Sequence, residues 1–279
     1  MSPFHVGRWW QALNRWLGRE KPEIPDALWH QLLQALSFVR ELSAADQRRL
    51  RALCQDFLVC KEFYGAHGLR IRDDMALSIA AQACLPLLHW GSNALDWYSD
   101  FVGIVVHPDE VVAAREVMDE AGVVHHYKEP LLGEAMAGGP VMLTWRHVAL
   151  AANEAKAGRN LVIHEFAHKL DMHGKAHDQP ADGCPRLPAG FMNGMRSAEA
   201  KRLWRETLHD AHESFQREVA MAERFGAAHP WLDSYGAQSP AEFFAVACEA
   251  FFTHRHRFTQ EFPAFDALLD AFFRPTSAA

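Results

Sequence analysis

Asn160-Leu161-Val162-Ile163-His164-Glu165-Phe166-Ala167-His168-Lys169-Leu170-Asp171 is the stretch on which both fold and chemistry turn. It reads as a helix: Asn160 can cap the start, and Leu161, Val162 and Ile163 lead in with an apolar run. At about 100° per residue, His168 lies roughly 40° round from His164, so both imidazoles point to one side, one turn apart. Two nitrogen donors at that separation suit a single zinc ion. Glu165 sits about 100° away, close enough to take a proton from a water at the ion without ligating the ion itself. The five residues match the His-Glu-x-x-His metal pattern. Asp171 falls on the same face and is placed to accept a hydrogen bond from a ligand histidine. The spacing fits a solvated carboxylate near the helix end equally well.

Such a centre needs a third protein ligand and an open fourth position. The extension H-E-x-x-H-x-x-G-x-x-H fails, because position 171 is Asp and position 174 is Gly. His173 and His177 lie outside that register and read as loop histidines. A carboxylate from a second helix is the other solution. Ser239-Pro240-Ala241-Glu242-Phe243-Phe244-Ala245-Val246-Ala247-Cys248-Glu249 begins one, with Ser239 as cap and Pro240 at the first helical position. Glu242 and Glu249 share a face but stand about 10 Å apart along the axis, so they cannot both bind one ion. Glu242 has a second explanation, since with Ser239 it completes a capping box. Spacing leaves the choice between the two glutamates open.

Working outward, the 279 residues are 49% hydrophobic and 23% charged, an ordinary globular balance without repeats or low-complexity tracts. The formal net charge is −7, with no basic stripe, which argues against direct nucleic-acid binding. Five cysteines at irregular spacing, with no Cys-x-x-Cys pair, suit reduced thiols in the cytoplasm. The start lacks the features of a signal peptide. The most apolar window, Met75 to Trp90, is interrupted by Gln82, Pro86 and His89 and is too short to span a bilayer.

At the start, residues 1–22 form an amphipathic, Trp-rich segment: Val6, Trp9, Trp10, Leu13, Trp16 and Leu17 recur at helical spacing among Arg8, Arg15 and Arg19. That pattern suits a helix docked on the body, or a surface for a membrane or a partner. Residues 23–279 read as one domain. Helical patterning runs from Asp26 to Ala66, in two stretches at 28–42 and 44–63 with Ser43 capping the second, and returns at 74–87. Short strands are expected at 101–107, 123–128 and 140–145, with a helix at 109–120. From Arg146 onward the pattern is helical again, with the key helices at about 160–172 and 240–253, broken by a loop from Gly174 to Gly194. The architecture expected is therefore α+β: one helix-dominated body with a small sheet, at about 101–145, beside the His-Glu-x-x-His helix.

His164 to Asp171, together with Tyr235-Gly236-Ala237-Gln238-Ser239-Pro240-Ala241-Glu242, resembles the Mlc titration factor A peptidases. Phe57–Gly65, Ile79–Pro86 and Leu143-Thr144-Trp145 extend the likeness over most of the chain from Asp26 to Phe262. A more distant likeness, in the helix and the Tyr-x6-Glu spacing, is to the catalytic domain of anthrax lethal factor. The resemblance implies a zincin-type fold and Zn2+ held by His164, His168 and Glu242. It also implies Glu165 as general base, and Tyr235 as donor to the developing oxyanion. Glu249 then becomes a supporting residue behind the ligands. An aminopeptidase-like activity on peptides and a transcriptional repressor of the Mlc type as partner also follow from the family. An extended substrate is expected to pair with the edge of the strand at 140–145. Two rivals remain: a non-catalytic zinc protein that binds a regulator, and a deformylase-like centre with Cys84 as third ligand.

Overall fold

The computed structural model describes residues 23–275 except 110, 119–123, 132, 136–137, 177–178, 189–190 and 193–194, and between 111 and 135 the backbone alone. The Trp-rich segment 1–22 lies outside the described residues.

The first half is helical, but not as one might read it from the apolar pattern. α1 (Asp26–Ala35) and α2 (Ser37–Arg40) replace one expected helix, because Leu36 adopts an extended backbone between them. α3 (Ala44–Cys60) begins at Ser43, whose side chain accepts the Asp46 N–H at 3.1 Å. A cap of this kind contributes about 1 kcal/mol. The expected continuation of α3 to residue 66 does not occur. Lys61 turns extended, and Glu62–Gly65 forms strand β1. The cause is long-range: β1 pairs in parallel with β2 (Gly103–His107), Phe63 opposite Ile104. α4 (Asp73–Cys84) follows and runs into a 3-10 turn at Leu85–Leu87.

The main sheet also contains β5 (Gly133–Ala135) and β6 (Val141–Thr144), in the order β1-β2-β6-β5. Its first three strands are parallel, and β5 runs antiparallel to β6, Glu134 opposite Met142. Sheet formation thus draws in residues 62–65, well before the expected start at 101. The expected helix at 109–120 is also replaced: β3 (Val111–Met118) pairs antiparallel with β4 (Val124–Leu131) over eight residues as a separate ribbon. Val111, Val112 and Val117 favour a pleated surface once a partner strand is present, and a local window cannot see that partner. β6 is not an edge, because β2 and β5 flank it on both sides. The expectation that a substrate pairs along β6 is therefore corrected: its backbone groups are already engaged.

The remaining elements are α5 (Trp145–Glu154), α6 (Leu161–Met172), α7 (Ser197–Phe225), α8 (Pro240–Thr253), α9 (Arg255–Glu261) and α10 (Pro263–Phe273). The result is the helix-dominated α+β body expected from the sequence. α6 runs through its middle, with Val162, Ile163, Phe166 and Leu170 fully buried. Phe166 packs against Phe57, Tyr98 and Phe101 at ring-centroid distances of 5.8, 5.0 and 5.9 Å. Burying side chains of this size is worth about 1.5–3 kcal/mol each, which fixes the rotation of α6 and so the direction of its histidines. All five cysteines are free thiols. Among the described residues no helix is long and apolar enough to cross a membrane.

Candidate metal centre

α6 starts where the sequence places it: the Asn160 side chain accepts the Ile163 N–H at 2.9 Å. One turn in, His164 and His168 bring their Nε2 atoms within 3.2 Å of each other. α8 supplies the third group. Ser239 Oγ accepts the Glu242 N–H at 3.2 Å and starts that helix. The Glu242 carboxylate is turned toward the imidazoles, with Oε2 at 3.1 Å from His164 Nε2 and 3.3 Å from His168 Nε2. Among the described residues, these three form the one cluster able to hold an ion.

The size of this triangle is informative. In a tetrahedral shell with metal–nitrogen distances of about 2.0–2.1 Å, neighbouring donor atoms lie about 3.3–3.4 Å apart. Sides of 3.1, 3.2 and 3.3 Å fit that shell with little adjustment. Two imidazoles and one carboxylate are also a donor set that suits zinc and leaves a fourth position open. The residues present fit such an ion.

Glu249 stands behind His164 rather than beside Glu242. Its Oε1 is 2.7 Å from His164 Nδ1, and its other oxygen accepts the Asn160 N–H. A carboxylate on Nδ1 fixes the tautomer in which Nε2 offers its lone pair to the centre. The support continues inward, where Asn160 Nδ2 donates to Gln82 Oε1 at 2.7 Å and Gln82 Nε2 donates to the Ser78 carbonyl at 2.9 Å. Gln82 is fully buried on α4. In the sequence it stands only as an interruption of an apolar run. That interruption was the signal, since a buried amide must find partners.

Glu165, Glu242 and Glu249 all lie within electrostatic reach of His164, so the pocket carries an excess of negative charge that a cation would balance. Burial pushes the Glu165 carboxyl up to about 7, against the pull of His164 and His168. Burial also acts to raise Glu242, but hydrogen bonds with His164 and His168 prevail and hold it near 2. His164 is raised: burial opposes its charged form, and Glu242 and Glu249 outweigh that.

Tyr235 lies in a 3-10 turn at Ser234–Ala237, its ring centroid 6.1 Å from that of His164 and its side facing solvent. Asp171 departs from expectation. It is fully buried, but Oδ1 accepts from Lys175 at 2.6 Å and Oδ2 accepts the Gly183 N–H at 2.7 Å. One turn beyond His168, it has moved past the centre and holds the following loop instead. His173 lies against Trp97, ring centroids 4.6 Å apart, and His177 is outside the described residues. Cys84 is buried beside Cys54 at the end of α4, its thiol pushed up by burial, and is not part of the cluster.

The family model for glucose-regulated metallo-peptidase M90 matches residues 8–274. Mlc titration factor A of Escherichia fergusonii is 31% identical over 249 residues, covering 89% of this chain and 86% of the relative. Mlc titration factor A of Salmonella arizonae is 32% identical over 259 residues, covering 93% of this chain and 95% of the relative. A match that spans nearly the whole sequence, on a fold with a two-histidine, one-glutamate cluster, places this chain in the glucose-regulated metallopeptidase family M90.

Proposed function

We propose that this protein is a cytoplasmic, zinc-dependent peptidase with aminopeptidase-like activity, and that His164, His168 and Glu242 hold the ion. The observation that carries the reading is the triangle of donor atoms with sides of 3.1–3.3 Å, immediately beside a buried Glu165. A zinc ion held there supplies Lewis acidity, which polarises a scissile carbonyl and makes water more acidic. The protein's own groups do the rest. Glu165 takes a proton from the attacking water and returns it to the leaving amine. Tyr235 donates its phenolic hydrogen to the oxygen on which negative charge develops. Glu249 keeps the His164 ring in register, and burial of Glu165 and Glu249 keeps bulk water from screening them.

An extended peptide is expected to run along the outer edge of β5, which packs beside α6 and takes the place first given to β6. The cytoplasmic assignment rests on five free thiols.

The relatives' name, Mlc titration factor A, supports a second reading, in which the chain binds a repressor of the Mlc type without cleaving anything. One substitution separates the two. Glu165→Gln keeps all three ligands but removes the proton acceptor. The peptidase reading expects wild-type zinc content and a loss of about 10²–10⁴-fold in hydrolysis of unblocked peptides. N-blocked peptides should be poor substrates for the wild-type protein. If wild-type protein with stoichiometric zinc cleaves nothing that the variant does not, the non-catalytic reading stands instead.

A further inference from the structure

We propose that Arg159 and Asp233 form a latch that positions Tyr235 against the metal centre; the inference rests on the role given to Tyr235 above. Arg159 Nε lies 2.9 Å from Asp233 Oδ2, and Asp233 Oδ1 accepts the Tyr235 N–H at 3.0 Å. The two oxygens of one carboxylate thus join two pieces of chain. One is the residue directly before Asn160, the cap of α6. The other is the turn that carries the tyrosine. The path from the helix that bears His164 to the Tyr235 backbone is only a few bonds long.

The turn is held at its far end by α7, and the latch sits at its near end, where Trp231 brings in the chain. At the far end, the Ala237 carbonyl accepts from Gln216 Nε2 at 2.8 Å and faces His212 Nε2 at 3.3 Å, both from α7. Gly236 is backed by Phe215 and Val246. At the near end, Trp231 lies on Gly158, where an added Cβ would come within 2.6 Å of the indole. Gly158 has φ +75°, so that position suits glycine on both counts. The Arg257 guanidinium sits over the Trp231 ring at 4.7 Å from its centroid. Trp231 fixes where the segment arrives; the ion pair and the Asp233–Tyr235 bond fix the direction in which it leaves.

Stability does not account for the pair. The Arg159 and Asp233 side chains are 51% and 32% exposed, and pairs so open to water add little to folding. Their consequence is geometric, because a displacement of about 1 Å in a group that meets the transition state costs up to roughly 10²-fold in rate. Arg159 and Asp233 are positioning residues: neither touches the reacting atoms.

The test is a double-mutant cycle on the zinc-loaded protein, with kcat, KM and zinc content measured for each variant. Tyr235→Phe is expected to lower kcat about 10²-fold. Arg159→Ala is expected to lower kcat about tenfold with KM and zinc content unchanged. Arg159→Lys, which keeps a cation on the single oxygen contacted, should recover most of that loss. The pair Arg159→Ala with Tyr235→Phe should be no worse than Tyr235→Phe alone, since there is then no phenol left to misplace. A full further tenfold loss in the double variant, a silent Arg159→Ala, or loss of zinc in Arg159→Ala would each overturn the latch while leaving the role of Tyr235 intact. A silent Tyr235→Phe would overturn both.

Discussion

His164 is engaged on both ring nitrogens, and the two contacts have different work to do. Nε2 faces Glu242 and His168, whereas Nδ1 faces Glu249 at 2.7 Å. A ring free on its Nδ1 side can flip or present the wrong tautomer. The Glu249 carboxylate prevents both, and it is itself held by the Asn160 N–H. Removing Glu242 deletes a donor; removing Glu249 leaves all three donors but loosens one of them. Glu242→Ala should therefore abolish stoichiometric zinc binding. Glu249→Ala should weaken zinc affinity by about 10–100-fold, the usual consequence of losing a carboxylate behind a ligand histidine. Competition against a chelating dye measures both. Equal losses in the two variants would mean that Glu249 reaches the ion itself, and an unchanged affinity in Glu249→Ala would mean that its contact with His164 does nothing for the metal.

Among elements, the loop after α6 is tied down from beneath by Asp171. Lys175 and Gly183 both reach it, Trp204 Nε1 donates to the Gly183 carbonyl at 2.8 Å, and a Cβ at Gly183 would meet the Pro240 carbonyl at 2.5 Å. Asp171→Ala should thus destabilise the protein by about 1–3 kcal/mol, the cost of leaving the buried Gly183 N–H without its acceptor, while Lys175 keeps Asp182 at 2.5 Å and zinc affinity stays at the wild-type value. Hydrogen exchange at residues 174–188 should rise. Weakened zinc binding in Asp171→Ala would return it to the role of histidine partner. The same residue shows where sequence reading runs out. Helical spacing puts Asp171 on the face of the histidines, but angle alone ignores the roughly 5 Å that each turn adds along the axis. The cap residues Ser43, Asn160 and Ser239 were legible, because a cap is a local bond between residues three apart. Strands β1 and β3 are not, because Glu62–Gly65 and Val111–Met118 are extended by virtue of partners about 40 residues away for β1 and 6 to 20 residues away for β3. Glu242 lay between: spacing offered two glutamates, and only the packing of α8 against α6 decides which carboxylate meets Nε2.

For the molecule as a whole, the sheet and α6 meet around Phe101, and two lysines are buried there. Lys61, at the junction of α3 and β1, donates to the carbonyls of Tyr98 and Phe101 and places its ammonium 3.8 Å from the Phe101 ring. Lys169 of α6 approaches the same ring at 4.5 Å, donates to the Gly139 carbonyl at 2.8 Å and lies 3.6 Å from Asp100. Cations so placed join the first helices, the sheet and the central helix, at the cost of removing charge from water. For Lys61 burial is the larger effect and lowers its pKa from 10.5 to about 8, with Asp100 opposing. Between these two values the unfolded chain holds a proton that the folded chain has given up, so stability rises with pH through that window. Below about 8 both states are protonated and the penalty is present in full. Urea unfolding at pH 7.5 and pH 10 should show the wild type gaining stability relative to Lys61→Met as pH increases, because the methionine variant lacks the titrating amine. Only the slope is diagnostic, since Lys61→Met also leaves the Tyr98 and Phe101 carbonyls without their donor. Parallel pH profiles for the two proteins would mean that Lys61 stays charged in the folded state up to its ordinary pKa, and that its carbonyl partners and the Phe101 ring compensate fully for its burial.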